Sequence, residues 1–492
     1  MSGVRRALLF SFAERYAMLV ISLVSNLIIA RLLTPGDIGA YSVSLAVISV
    51  AQVLRDFGVA NYLIQENDLT DEHIRTALGV TLALGLGLGL AVFAAAPLVA
   101  RFYGEPQMAS LLRVCSINFL LLPFSTVSLA LLRRRLAFKE LAIVNLIATT
   151  VGALVSTSLA WSGLGSISLA IGAVSVSAVT GLSAWVAQND RRVLLPGLSE
   201  WRRLLSFGAR SSSVGVVTSV SMDINDLAVG KLMGFEAVAL LSRAQGLMSL
   251  FHRDLMGAVR NVAFPAFAKA AREQQVLEPM YLASVTNVTV VAWPFYGFVS
   301  LYAIETLRLL YGPQWDSAAP LVPIFCLAGA FAATGSLIGT LIIAMGRLDL
   351  LTPFELVFQP ARAGLVLLAA FSFRQPWACA AALAAALAIH VPMLYWLKAR
   401  LLPNDWATLR RNFCRSFAVT GLALTIPVGL YFVAGWQRSA PAHWILFSAA
   451  IMSCIVAWLL ALAICRHPIA ADPAFQRLTR GWLRPRDNRV LP

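Results

Sequence analysis

Ser42, Ser49, Gln52 and Asp56 are spaced by seven, three and four residues inside the apolar stretch "ARLLTPGDIGAYSVSLAVISVAQVLRDFGV" (30–59). On a helix of 3.6 residues per turn those steps place all four on one face. The pattern returns 200 residues later as Ser242, Gln245, Ser249 and His252, so that Ser42/Ser242, Ser49/Ser249 and Gln52/His252 share a register. Hydroxyl, amide and imidazole groups lining two apolar helices at matched heights predict two walls of a water-filled cavity. Arg15, Ser22 and Asn26 stripe the first apolar segment, and Ser212, Ser219, Asp223 and Asp226 stripe the seventh. The competing reading is that each serine returns a hydrogen bond to its own backbone or marks close helix packing.

Arg15, Arg55, Arg210 and Arg253 bring cations to the same set of segments. An arginine at the bilayer centre costs about 2.5–3.5 kcal/mol on insertion scales. Such a residue needs a counter-ion, a ligand or a route to the interface. Glu14, Asp56 and Asp254 adjoin three of the four and partly neutralise them.

These residues must be carried by membrane helices. Of 492 residues, 59% are hydrophobic and 13% charged, and the mean hydropathy is +0.76. That balance points to a polytopic membrane protein. Apolar runs long enough to span occur near 10–31, 39–60, 77–100, 109–132, 140–161, 165–187, 204–228, 235–257, 282–304, 318–345, 350–372, 377–397, 415–436 and 443–464. The expected fold is an all-α membrane protein of about fourteen transmembrane helices.

With the N-terminus inside, the outer segments hold only Arg31, Arg101, Lys231, Arg308, Arg374 and Arg438, while clusters such as Arg133–Arg135, Arg191/Arg192 and Arg410/Arg411 fall inside. That asymmetry predicts both termini in the cytoplasm. It also assigns most of the net charge of +15 to topology and anionic lipid, so no nucleic-acid partner is expected.

The chain repeats itself. "FSFAER" (10–15) resembles "LSFGAR" (205–210), and "RLLTPGDIGAYS" (31–42) aligns without a gap to "KLMGFEAVALLS" (231–242). Six segments separate the copies, so both share an orientation, as in parallel-repeat transporters. The expected organisation is an N-terminal six-helix lobe at 1–200, a C-terminal lobe at 201–400, two further helices at 401–465 and a basic cytoplasmic tail at 466–492. The two pseudo-symmetric lobes would surround a central cavity.

Other motifs carry less. "LGLGLGL" (84–90) lies within an apolar helix and reads as packing, not as a phosphate loop. The six cysteines and five histidines show no disulfide or metal spacing, so neither a metal nor a cofactor is expected. The N-terminus reads as the approach to a retained helix, not a cleaved signal. Pro123, Pro265, Pro294 and Pro360 fall in or at the ends of spans and read as kinks.

Taken together, "ARLLTPGDIGAYSVSLAVISVAQVLRDFGVANYLIQENDLTDEHIRTA", "ARFYGEP", "LLRRRLAFKE", "SRAQGLMSLFHRDLMGAVRNVAFPAFAK" and "LYGPQWDSAAP" resemble the bacterial polysaccharide-transporter, or Wzx-type oligosaccharide flippase, family. Its superfamily includes multidrug extruders and lipid II flippases. The resemblance runs from about residue 5 to 350. It implies two six-helix lobes around a V-shaped cavity, an inner-membrane location and a non-enzymatic role. That role is moving undecaprenyl-pyrophosphate-linked oligosaccharide across the membrane by alternating access, in lipopolysaccharide or exopolysaccharide synthesis. The implied partners are the lipid-linked oligosaccharide, membrane lipids, and polysaccharide polymerase and export machinery. Under this resemblance Arg15, Arg55, Arg210 and Arg253 become candidate pyrophosphate ligands. The two polar stripes, with Asp56, become candidate sugar contacts. Asp226 and Arg243 match family-like positions and, with Asp223, read as structural or coupling residues. Two alternatives remain: a multidrug or cation antiporter of the same superfamily, and a membrane polymerase or ligase of lipid-linked sugars.

Overall fold

A computed structural model describes residues 2–56, 59–66, 68–135, 137–188, 196–434 and 442–471. Within these, side chains at 2–13, 15, 53–56, 205–218, 253 and 254, among a few others in helices, lie outside the description. Among the described residues every regular element is helical. Ten helices among the described residues are long and apolar enough to cross a membrane: Asp71–Tyr103, Gln107–Arg134, Phe138–Trp161, Ile167–Ala187, Leu277–Leu301, Pro313–Ala344, Leu348–Phe373, Pro376–Ala399, Trp406–Val433 and Trp444–Ile464. The described residues of the segments expected at 10–31, 39–60, 204–228 and 235–257 are also helical, with 57 and 58 outside the description. They stand outside the ten; the described apolar part of the first is Tyr16–Leu32.

The chain forms two compact units. The first comprises Met1–Leu240, Leu310–Trp315 and Gln359–Pro376. It contains α1 (Ser2–Leu32), α2 (Pro35–Asp56), α3 (Val59–Gln65), α4 (Asp71–Tyr103), α5 (Gln107–Ser116), α6 (Asn118–Arg134), α7 (Phe138–Trp161), α8 (Ile167–Ala187) and α9 (Trp201–Met233). The turn "LTPGD" starts α2 with a reciprocal cap. Thr34 Oγ1 accepts the Asp37 N–H at 3.2 Å, and Asp37 Oδ2 accepts the Thr34 N–H at 3.3 Å. The other Asp37 oxygen accepts the Ser166 N–H at 3.3 Å, tying α2 to the turn before α8.

Small residues set the helix spacing. α7 packs on α1 and α8, α8 on α6, and α2 on α9. A Cβ at Gly172 of α8 would overlap Ser156 Oγ of α7, and one at Gly39 of α2 would overlap the Phe235 carbonyl. The glycine run of α4 divides by face. A Cβ at Gly85 would strike the Phe119 carbonyl and one at Gly89 would lie 3.2 Å from Phe119 Cβ, whereas Gly87 has nothing within 4 Å. Two glycines four residues apart thus let α6 approach, and the third is incidental.

Two segments singled out in the sequence serve as ties. Arg134 donates to the carbonyls of Leu63 at 3.0 Å, Ile64 at 3.2 Å and Glu66 at 2.5 Å, capping the end of α3. Its role exceeds the topological one expected of "RRR". In "LYGPQW", Trp315 is fully buried. Its indole N–H donates at 2.9 Å to the Ala30 carbonyl in the last turn of α1, and Gln314 Nε2 donates to the same oxygen at 2.6 Å. The stretch ahead of α9 is pinned to the start of α4 by Gly197 N–H to the Arg75 carbonyl at 2.9 Å and by His73 with Glu200 at 3.2 Å.

The second unit comprises Leu241–Leu309, Asp316–Phe358 and Trp377–Pro492. It holds most of α10 (Phe235–Ser249), a π turn (Leu250–Leu255), α11 (Met256–Arg272), α12 (Leu277–Leu301), α13 (Ala303–Leu310), a 3-10 stretch (Pro313–Leu321), α14 (Val322–Ala333) and α15 (Ile338–Ala344). The first part of α16 (Leu348–Phe373), α17 (Pro376–Ala399), α18 (Trp406–Ala434) and α19 (Ala442–Ile464) complete it. α12 packs against α14 and α18, and α18 against α19. Phe298, Tyr302 and Phe447 stack at 4.8–6.0 Å between ring centres, and Tyr302 Oη donates to the Pro427 carbonyl at 2.7 Å.

Buried Lys398 at the end of α17 pairs with Glu278 at the start of α12. It also donates to Asn404 Oδ1 at 2.9 Å and lies 4.6 Å from the Tyr281 ring centre. Its charge is therefore compensated on three sides, as burial demands. Arg308 grips Asp316 through a fork, with Nε–Oδ1 at 2.9 Å and Nη2–Oδ2 at 2.6 Å.

The glycine geometry makes a paired prediction. Gly85→Val must displace backbone, and overpacking of this kind costs about 1–3 kcal/mol. The detergent-solubilised protein should melt several degrees lower, while Gly87→Val should melt as wild type. Equal melting of the two variants in a thermal size-exclusion assay would sink this account of the α4–α6 contact.

Candidate functional site

Several hydroxyls outside the stripes turn back on their own helices: Thr150 of α7 to the Leu146 carbonyl at 2.8 Å, and on α8 Ser175 to Ile171 at 2.9 Å and Thr180 to Val176 at 2.7 Å. On α2, buried Ser44 does the same to Ala40 at 2.8 Å. Ser42 and Gln52 of α2 are half-buried and make no side-chain hydrogen bond among the described residues. The same is true of Ser249, which is half-buried, and of Ser242 and Gln245, which are exposed. A polar group in a membrane helix that its own backbone does not satisfy needs a partner from elsewhere.

Ser49 has found one. It is half-buried, and its hydroxyl meets the Asp223 carboxylate of α9, with the Ala46 carbonyl 3.0 Å away as the alternative acceptor. The two helices approach here because Gly230 sits against Val43 and Gly39 against Phe235. Asp226 lies one turn beyond Asp223 and within its electrostatic range. The first unit thus gathers a hydroxyl and two carboxylates along the α2–α9 contact. Ser49 and Asp223 are the predicted residues brought together; Ser42 and Gln52 stand along the same helix.

In the second unit His252 falls in the π turn, half-buried, with its Nδ1 buried and without a hydrogen-bond partner among the described residues. Arg243 is half-buried on α10. Arg15, Arg55, Arg210, Arg253 and Asp56 lie on helical backbone, but their side chains are outside the described residues. Glu14, expected to offset Arg15, accepts a hydrogen bond from Asn145 Nδ2 of α7 at 2.8 Å. Asn145 escaped the sequence reading because a lone amide in an apolar helix has no periodic signal.

A serine and a histidine do meet elsewhere. Ser416 of α18 lies 3.2 Å from His467 Nε2. The Ile469 N–H donates to His467 Nδ1 at 3.3 Å, so the ring proton is on Nε2 and points at Ser416. Burial, followed by the nearby Arg415 charge, pushes the His467 pKa down to about 4. A neutral imidazole that already donates to the hydroxyl cannot take its proton, so this pair is a structural clasp and not a nucleophile with its base.

The Ser49–Asp223 contact can be tested by a double-mutant cycle. Ser49→Ala and Asp223→Leu should each lower the thermal midpoint. The pair should be non-additive by about 1 kcal/mol, within the range of hydrogen bonds between membrane helices. Strict additivity would show that the two side chains do not share an interaction.

Comparison with known proteins follows this geometry closely in character. The family described as polysaccharide biosynthesis protein matches residues 28–320. The chain is 24% identical over 349 residues to the lipopolysaccharide biosynthesis protein WzxC of Escherichia coli (strain K12), a match covering 69% of this chain and 70% of WzxC. It is 26% identical over 310 residues to the succinoglycan biosynthesis transport protein ExoT of Rhizobium meliloti (strain 1021), covering 61% of each. Among solved structures it resembles the lipid II flippase MurJ in an inward closed conformation, with a TM-score of 0.71 at 14% identity, over 93% of this chain and 98% of MurJ. That last likeness is one of fold.

Proposed function

We propose that this chain, which belongs to the polysaccharide biosynthesis protein family, is a flippase that moves a lipid-linked oligosaccharide across the bacterial inner membrane. The observation that carries the reading is the matched spacing of polar side chains on α2 and α10, of which Ser42, Gln52, Ser242, Gln245 and Ser249 make no side-chain hydrogen bond among the described residues. A sugar chain supplies the missing hydrogen-bond partners, and its apolar carrier tail stays in lipid. WzxC and ExoT carry names in polysaccharide synthesis or transport, and MurJ is titled a lipid II flippase; both support the same class of substrate.

In this reading fourteen helices cross the membrane with both termini in the cytoplasm. Two six-helix lobes, 1–200 and 201–400, rock about a central cavity. Arg15, Arg55, Arg210 and Arg253 receive the carrier pyrophosphate from the cytoplasmic side, and a polymerase or export system takes the product. An antiporter of the same fold would favour an acidic, aromatic cavity, and the stripes here carry cations as well. A polymerase or ligase would need a catalytic set on a large outer loop.

The test is translocation of a fluorescent lipid-linked oligosaccharide in proteoliposomes. Wild type should move it chemically unchanged. The Arg15→Ala, Arg210→Ala double variant should stop transport at normal membrane abundance, and the corresponding lysines should restore it in part, because lysine keeps the charge without the bidentate fork. Full transport by the double variant would remove these arginines from the mechanism, and chemical conversion of the lipid would replace the flippase with an enzyme.

A further inference from the structure

Helix α12 carries a buried proline, Pro294, within its span. A proline has no N–H, so the Val290 carbonyl one turn back loses its helical donor. In a spanning helix such a carbonyl must be answered from outside its own ladder. Trp458 of α19 answers it: the indole N–H donates to the Val290 oxygen at 2.9 Å. A side chain of a neighbouring helix thus fills the rung that the proline removes.

The two halves of α12 are held differently. Ahead of the proline, Tyr281 Oη donates to Tyr395 Oη of α17 at 3.1 Å. Asn412 Nδ2 of α18 donates to Thr286 at 3.1 Å, and Thr289 lies 3.2 Å from Ser416 of the same helix. Tyr281, Val285, Thr286, Thr289 and Val290 are fully buried. From Val291 onward, cavities flank the helix. One of about 230 Å³ lies between Val291, Pro294 and Phe298 of α12 and Ile451 and Ile455 of α19. Another of about 360 Å³ lies between Trp293, Gly297 and Ser300 of α12, Leu327 of α14 and Thr420 of α18. Close packing resists movement, so voids on two sides of a helix just past its proline leave room for its bend to change.

We infer that Pro294 is the hinge of α12 and that the Trp458 indole is its latch, a hydrogen bond that holds the present bend and is released when the bend changes. The inference rests on the flippase reading, in which helices must change shape for substrate to pass. It gives α19, a helix outside the two proposed six-helix lobes, a part in transport: α19 sets how readily α12 bends. A static kink would need the indole but not the space beside it. Past the cavities, Tyr302 is bonded to the Pro427 carbonyl of α18, so a swing of the C-terminal half of α12 is carried to a second proline-bearing helix. Trp458 acts through the backbone of α12 and is a positioning residue.

The full-length protein would be compared as wild type, Trp458→Phe, Pro294→Ala and the double variant. Hydrogen–deuterium exchange across residues 291–301 reads the latch without any substrate. Trp458→Phe keeps an aromatic ring but loses the donor, and should speed exchange there severalfold. Pro294→Ala returns an N–H to the Val290 carbonyl, so in that background Trp458→Phe should change exchange little. Equal acceleration in both backgrounds overturns the latch. Translocation of a fluorescent lipid-linked oligosaccharide in proteoliposomes reads the hinge. Pro294→Ala should slow it about tenfold while binding of the same probe stays as in wild type. Pro294→Gly, which also returns the N–H but leaves the backbone free to bend, should keep most of the rate. A wild-type rate in Pro294→Ala overturns the hinge. Thermal midpoints identify any folding defect, and the cavity beside Pro294 leaves room for Pro294→Leu, which repeats the test if the alanine form misfolds. If wild type itself moves no probe, the flippase reading falls, and with it the part of the hinge in transport, while the exchange cycle upholds or overturns the latch by itself.

Discussion

The bilayer core contains no water to satisfy a polar group, and that constraint governs the rest of the structure. Every hydroxyl, amide or charge on a spanning helix must be answered by its own backbone, by a neighbour, or by something that is not protein. Thr150 of α7 and Ser175, Ser177 and Thr180 of α8 take the first course. Ser49 takes the second by meeting Asp223. Ser42, Gln52 and Ser249 take neither among the described residues. Composition alone would class all of these side chains together. Their hydrogen bonds separate those the protein itself answers from those it leaves open among the described residues.

The same constraint explains where charge is tolerated. Lys398 is buried because a carboxylate, an amide and an aromatic face surround it. Trp315 and Gln314 can bury their donors because the last turn of α1 leaves the Ala30 carbonyl free to accept them. Motifs that mark the family by sequence are therefore in part ties: "LYGPQW" closes the end of α1, and "RRR" caps α3. A short conserved-looking string in such a chain is as readily explained by helix-end chemistry as by substrate contact, and only the partner of each polar atom decides.

Much of the fold was legible in the sequence because a membrane helix declares itself by about twenty apolar residues, and the ten described spans all fall on runs identified that way. Pairing between helices was not. Nothing in the spacing of Ser49 indicates that its neighbour is Asp223, 174 residues away, or that Asn145 would answer Glu14. The sequence also assumes regular winding. The π turn at Leu250–Leu255 breaks that assumption, and with it any facing deduced by counting in sevens beyond His252.

Charge bears on how a flippase lets go. A charged hydrogen bond contributes about 1.5–3 kcal/mol, so several bare arginines closing on one pyrophosphate would hold it by many powers of ten and stall the cycle. In the proposed reading, sequence neighbours temper such a site. Acids stand next in sequence to Arg15, Arg55 and Arg253, lowering the net field each can apply.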